Sequence, residues 1–388
     1  MIKLSKTIYD NFVDKDGNDY VSSCLKKFAE KEVVFLDKEV FGGRVSREEL
    51  IYTNNKYDCE KIEKILLFDF EDLSKNDQIL NNYFKTGLLI AKSDFSINDE
   101  LKKNNMELTM KNRVLFRKSF VKEYSNQWID DYFSDASVYR SSKRFNDVIK
   151  EIKQEFIGLT LIDKDKHIID YGMISDIRDA LLESTGISVC PYCNRQFISS
   201  FDDNNKKRTT ATLDHFYPKS AFPLFALSLY NFVPACYSCN SILKTTSTKG
   251  IMYPFSKGYE DHAHFKMKNF KDLDTLLGNN NDLEIYVDYE KENNEDITNS
   301  LELFKTEEIY QHHSNYVQSI LLKSTIYSDK YKEMLKNDLR SKGLDYSIEG
   351  LNAFIYNLDL HDTEQKNVIL GRLTKDILKQ IDEWKNKP

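Results

Sequence analysis

Cys190-Pro191-Tyr192-Cys193 and Cys236-Tyr237-Ser238-Cys239 are two C-x-x-C turns, and between them stands Leu213-Asp214-His215-Phe216-Tyr217-Pro218. One such turn brings two thiolates to a metal ion, so the pair predicts a tetrahedral four-sulfur site holding structural Zn²⁺. That site alone predicts a stapled module and nothing more. The Asp-His pair enclosed by it points to chemistry.

Working outward, Thr209-Thr210-Ala211-Thr212-Leu213 is rich in β-branched residues and reads as a strand ending at Asp214-His215. Pro218 and Pro223 then impose an irregular loop, and Asn231-Phe232-Val233-Pro234 leads back to the second cysteine pair. Residues 240–243 open a short helix, which predicts a hairpin and a helix clamped by zinc. Asp214 and His215, adjacent on an extended strand, point to opposite sides, so facing one site requires a bend. A histidine of near-neutral pKa can take a proton from water, and the oxygens of Asp214 and Asn240 suit a hard cation such as Mg²⁺. Hydrolysis of a phosphodiester needs both services.

The stretches Cys190-Pro191-Tyr192-Cys193-Asn194-Arg195, Leu213-Asp214-His215-Phe216-Tyr217-Pro218-Lys219-Ser220 and Asn231-Phe232-Val233-Pro234-Ala235-Cys236-Tyr237-Ser238-Cys239-Asn240, with Lys244 beyond, resemble the zinc-containing branch of the HNH endonuclease family. Within it they are most similar to HNH subunits of bacterial anti-phage systems such as Septu and related retron effectors. The resemblance covers about 65 residues, read directly from the sequence. It implies a ββα-metal fold with His215 as general base, Asp214 as a ligand of catalytic Mg²⁺ or Mn²⁺, and Asn231 bracing the loop that orients His215. Asn240 falls where many members carry a second metal-binding histidine, so the chain is an H-N-N variant. An amide is a poorer ligand than imidazole for softer metals, which favours Mg²⁺ or Mn²⁺ over Ni²⁺ or Zn²⁺ there. The resemblance further implies a defence role beside a separate ATPase subunit.

The 388 residues allow two or three domains, and 40% hydrophobic with 30% charged residues describes a packed globular chain. The expected fold class is α+β: a mainly helical chain with a central zinc-stapled ββα-metal (HNH) module. Residues 1–180 form a mainly helical region of unassigned role, 181–260 the module, and 261–388 a mainly helical C-terminal region. No apolar run approaches a membrane span of about 18 residues and no export signal opens the chain, so a cytoplasmic protein is expected. A reducing compartment favours metal-bound over disulfide-bonded cysteines. Of the two remaining cysteines, Cys24 sits at helical spacing with Val21, Leu25 and Phe28 and reads as core, and Cys59 stands alone.

The net charge of −7 is unevenly spread: between Cys190 and Lys257 stand eight basic residues and three acidic ones. Local positive charge is what a phosphate-binding surface needs, and Arg195, Lys219 and Lys244 are the candidate nucleic-acid contacts. The triplet Lys206-Lys207-Arg208 reads equally as a solvated hairpin tip beside Asp202-Asp203-Asn204-Asn205.

Elsewhere, the run from Trp128 through Phe145, Val148, Ile149 and Ile152 to Phe156 has helical spacing. Ile65-Leu66-Leu67-Phe68 and Val114-Leu115-Phe116 fit either strand or buried helix. Residues 171–186 read as a helix stopped near Gly186, Leu283-Glu284-Ile285-Tyr286-Val287-Asp288-Tyr289 as a strand, and 290–299 as a linker. Helices are expected from Thr306, with Ile309, His313, Tyr316, Val317 and Ile320 on one face, and through Leu370, Leu373, Ile377, Ile381 and Trp384, both stripes reading as core. His262 and His264 read as an exposed loop with metal or phosphate binding as the alternative, and His313 as a satisfied core residue. No phosphate-binding glycine loop is present, which argues against an ATPase.

Two functions fit these residues. One is a metal-dependent endonuclease cutting DNA, or RNA such as tRNA. The other is a zinc-stapled nucleic-acid-binding or adaptor protein whose Asp-His pair is inert. HNH-type sites act on the backbone, so specificity is expected to lie outside the module.

Overall fold

A computed structural model describes the chain except residues 14–19, 32–38, 164–165, 205, 261, 269–282, 293, 363–364 and 386–388. The N-terminal region is helical: α1 (Tyr20–Ala29), α2 (Cys59–Leu66), α3 (Gln78–Lys92), α4 (Met110–Glu123), α5 (Ser142–Thr160) and α6 (Arg178–Ser184) are its principal helices. The module follows as two hairpins, β1 (Ser200–Asp203) with β2 (Lys206–Thr209) and β3 (Thr212–His215) with β4 (Phe232–Ala235), and then a short helix with π-type pairing, α7 (Ser238–Lys244). Strands β5 (Ala263–Lys268) and β6 (Glu284–Tyr289) lead into α8 (Glu295–Leu303), α9 (Thr306–Tyr310), α10 (Ser314–Ile326), α11 (Asp329–Ser341), α12 (Ile348–Tyr356) and α13 (Gly371–Lys385). The class is therefore α+β, mainly helical with small two-stranded sheets.

Local chemistry accounts for the boundaries. The Asp58, Asp77 and Ser141 side chains accept first-turn backbone N–H groups and start α2, α3 and α5. Phe145, Ile149, Ile152, Phe156 and Leu159 then line one buried face of α5. The helical run expected from Trp128 thus begins fourteen residues later, with short 3₁₀ turns before Ser141. Both ambiguous apolar runs belong to helices: Ile65 and Leu66 end α2, and Val114-Leu115-Phe116 lies in α4. The expected linker at 290–299 is half helix, because Ile297, Ser300 and Leu301 give α8 a buried face within a polar composition; Asn293 lies outside the described residues.

The strand expected at 283–289 forms from Glu284 as β6, antiparallel to β5, and helix side chains close both edges of this sheet. Asp376 accepts the Phe265 N–H at 3.0 Å and Gln380 the Met267 N–H at 2.9 Å, while Gln311 and Glu307 accept those of Ile285 and Val287. These side chains satisfy edge N–H groups that an open strand would present to another chain. His264 lies in β5 rather than in a loop, its Nδ1 facing an N–H of buried Arg372 at 3.0 Å. His262 is exposed as expected; its neighbour Asp261 and the hairpin-tip Asn205 fall outside the described residues. His313 is half-buried against the Tyr310 ring with its Nε2 lacking a partner, so it is not the satisfied residue expected.

One hydrophobic cluster runs from Met1 to Ile381, so the three sequence regions share a core. Cys24 lies fully inside it. Among the described residues, no helix is long and apolar enough to cross a membrane.

Candidate metal centre and histidine site

The four cysteine sulfurs of Cys190, Cys193, Cys236 and Cys239 lie within 4.8 Å of one another, all buried. Cys193 and Cys236 sulfurs are 4.0 Å apart, close to the ~3.8 Å that tetrahedral Zn–S bonds of about 2.3 Å require. The Cys239 N–H points at the Cys236 sulfur at 3.4 Å, as a turn wrapped around a thiolate demands. Four soft donors with this spacing can hold a metal ion such as zinc.

Each cysteine turn also fixes strand β3. Tyr192, inside the first turn, donates its hydroxyl to Asp214 Oδ2 at 2.5 Å. Asn240, directly after the second, donates to Thr212 Oγ1 at 3.0 Å. Lys244, the last residue of α7, donates to Asp214 Oδ1 at 3.0 Å and to the His215 carbonyl at 2.7 Å. The Lys244 and Asp214 side chains are 1% and 2% exposed, so this is an interior ion pair. Burial pushes the Asp214 carboxyl up and the Lys244 ammonium down, and their mutual attraction opposes both shifts.

His215 pairs in register with Phe232, so no bend brings it to the Asp214 side. Its ring instead meets the rings of Tyr171 and Phe232 edge-on, with centroids 4.9 and 5.2 Å away. Its Nε2 lies 2.9 Å from the Ala226 carbonyl. A carbonyl only accepts, so Nε2 carries the proton and Nδ1 keeps its lone pair. Burial, aided by Lys219 and Lys244, lowers the imidazole pKa to about 4, so the ring is neutral at pH 7.

The Ala226 carbonyl is held by a loop, residues 216–231, that Asn231 closes upon itself. Asn231 is 0% exposed; its side chain accepts the Tyr217 N–H at 2.8 Å and donates to the Tyr217 and Phe225 carbonyls at 3.0 and 3.1 Å. Around this loop the N-terminal region builds an aromatic socket. Phe225 packs on Phe68 at 4.4 Å and Tyr217 on Phe70 at 4.8 Å. Tyr20 and Tyr9 hydroxyls bond the Leu227 and Phe232 carbonyls, and the Tyr83 hydroxyl receives the Leu224 N–H. The N-terminal region, whose sequence offered no motif, thus packs around this loop.

The expected cationic contacts separate. Lys219 is exposed, its ammonium 5.2 Å from the Tyr171 ring that abuts His215. Arg195 lies 5.9 Å over Tyr310, whose hydroxyl bonds the Cys193 carbonyl. Lys244 is internal, so in this conformation it offers no surface charge. Lys207, Arg208, Lys249 and Lys257 are ion-paired with neighbouring carboxylates, which neutralises most of the local positive excess. Sequence reasoning missed Tyr192, Tyr171 and the Ala226 carbonyl. Only Tyr192 carried a signal, its place inside a C-x-x-C turn. No protein-family model, curated protein or solved structure matches the chain.

Proposed function

We propose that the chain is a phosphodiester hydrolase of the HNH type, acting on DNA or on RNA such as tRNA, with His215 as general base. The hydrogen bond from His215 Nε2–H to the Ala226 carbonyl carries this reading, because it commits Nδ1 to accepting a proton from water. Burial makes the ring a weak base in the substrate-free protein, and an anionic phosphate beside it would raise its basicity. Lys219, exposed beside Tyr171, would meet an incoming phosphate first. Asn231 holds the loop that aims the imidazole.

The Mg²⁺ or Mn²⁺ implied by the resemblance fits the donor chemistry here. Asp214 Oδ1 and the His215 carbonyl already converge on one cationic atom, the Lys244 ammonium. Asp214 and Asn240 would hold the ion, which when bound would supply countercharge for the phosphate and leaving oxygen. Because the Asp214 and His215 side chains leave opposite faces of β3, the proposal requires the strand end to bend when substrate binds, bringing the His215 ring to the same phosphate. A role in anti-phage defence beside an ATPase subunit is part of this proposal and rests on the motif resemblance alone.

The buried Asp214–Lys244 pair and the neutralised surface cations favour a second reading, a zinc-stapled adaptor. Incubating the purified chain with plasmid DNA, single-stranded DNA and total tRNA, with Mg²⁺ or Mn²⁺, separates the two. The nuclease reading predicts cleavage that His215→Ala abolishes; binding with no product under either metal, with or without an ATPase partner, would leave the adaptor.

A further inference from the structure

Resting on that reading, we propose that Lys244 is a built-in competitor for the divalent cation: its ammonium holds the Asp214 and His215 oxygens in the metal-free protein and must leave before a metal ion binds. The Asp214 carboxylate has two oxygens. Tyr192 donates to Oδ2 at 2.5 Å, and Lys244 lies on the other oxygen, Oδ1, at 3.0 Å. The second oxygen around that position, the His215 carbonyl, is 2.7 Å from the same nitrogen. With both side chains almost fully buried, two cations cannot share the site without strong repulsion in a low dielectric.

The competitor is suited to leaving. Lysine carries its charge on a flexible four-carbon stem, and Lys244 is the final residue of α7, where the chain turns out through Thr245 at φ 50°. The pair also has a function in the metal-free state, since a carboxylate at 2% exposure left with the Tyr192 hydroxyl alone and no countercharge would destabilise the module. Lys244 therefore preorganises the oxygens and sets a threshold that metal binding must overcome.

Mn²⁺ binding measured by electron paramagnetic resonance on the zinc-loaded full chain tests this with wild type, Lys244→Met and Asp214→Asn. Lys244→Met is expected to bind Mn²⁺ at least roughly tenfold more tightly than wild type, and Asp214→Asn to lose that binding. Equal or weaker binding by Lys244→Met overturns the proposal while leaving the hydrolase reading intact. Mn²⁺ binding that survives Asp214→Asn overturns the metal assignment itself. Should Lys244→Met fail to fold, acetic anhydride labelling of wild type decides: Lys244 should be protected without metal and acetylated at saturating Mg²⁺, and protection under both conditions overturns the proposal.

Discussion

Asn231→Ala removes three hydrogen bonds from a fully buried position in one step. The acceptor for the Tyr217 N–H at 2.8 Å and the donors to the Tyr217 and Phe225 carbonyls at 3.0 and 3.1 Å all disappear. At about 1 kcal/mol net per bond, with an added penalty for groups left without water or partner, the loss is about 3–5 kcal/mol. That is a large fraction of a domain's stability, so urea unfolding would show it plainly. The functional cost follows from the same bonds: Phe225 adjoins Ala226, and a slackened Ala226 carbonyl frees the His215 ring. Misplacement by about 1 Å costs about 10²-fold in rate, measured at a temperature where the variant stays folded. Asn231→Asp keeps the acceptor while losing both donors, and should fail similarly. A stability loss under about 1 kcal/mol together with unchanged cleavage would refute the assignment of Asn231 as the brace.

In α3, a Cβ on Gly87 would lie 2.6 Å from Phe222 Cε1 and 3.1 Å from Phe156 Cζ. Gly87→Ala should therefore lower the melting temperature despite alanine's helix preference of about 1 kcal/mol, because overpacking costs about 1–3 kcal/mol; a raised melting temperature would contradict this. Metal removal should loosen the C-terminal region, since Tyr310, Leu370 and Arg372 all bond to Cys193 or Asn194. Hydrogen exchange should show protection lost in α9 and α13 after chelation, and elemental analysis about one zinc per chain. The lowered His215 pKa has a definite sign: between about pH 6.5 and 4 the unfolded chain binds a proton that the folded one refuses. Stability is accordingly indifferent to His215 above that window and falls as pH drops through it, a dependence that His215→Gln should remove from denaturation curves.

Local features were legible in the sequence and distant ones were not. The C-x-x-C turns declare themselves by spacing, and strand β3, the irregular loop and helix α7 followed from Thr212, Pro218 and Asn240. The opposed directions of Asp214 and His215 followed from strand geometry; the bend thought necessary is absent because register pairing carries β3 through His215. What orients His215 is the backbone carbonyl of Ala226, and no residue type encodes a carbonyl. The socket of Phe68, Phe70, Tyr83 and Phe84 reads as undifferentiated core, because each aromatic gains its meaning from a loop more than a hundred residues away. Lys244 looked like a phosphate contact because charge is visible in sequence and burial is not.

The general-base role proposed for His215 is tested most directly by chemical rescue. Cleavage by His215→Gly should be lost and then partly restored by added imidazole, with no gain for wild type, because a diffusible base can occupy the vacated space beside Tyr171 and Phe232. Cleavage by His215→Gly at the wild-type rate without imidazole would contradict the account.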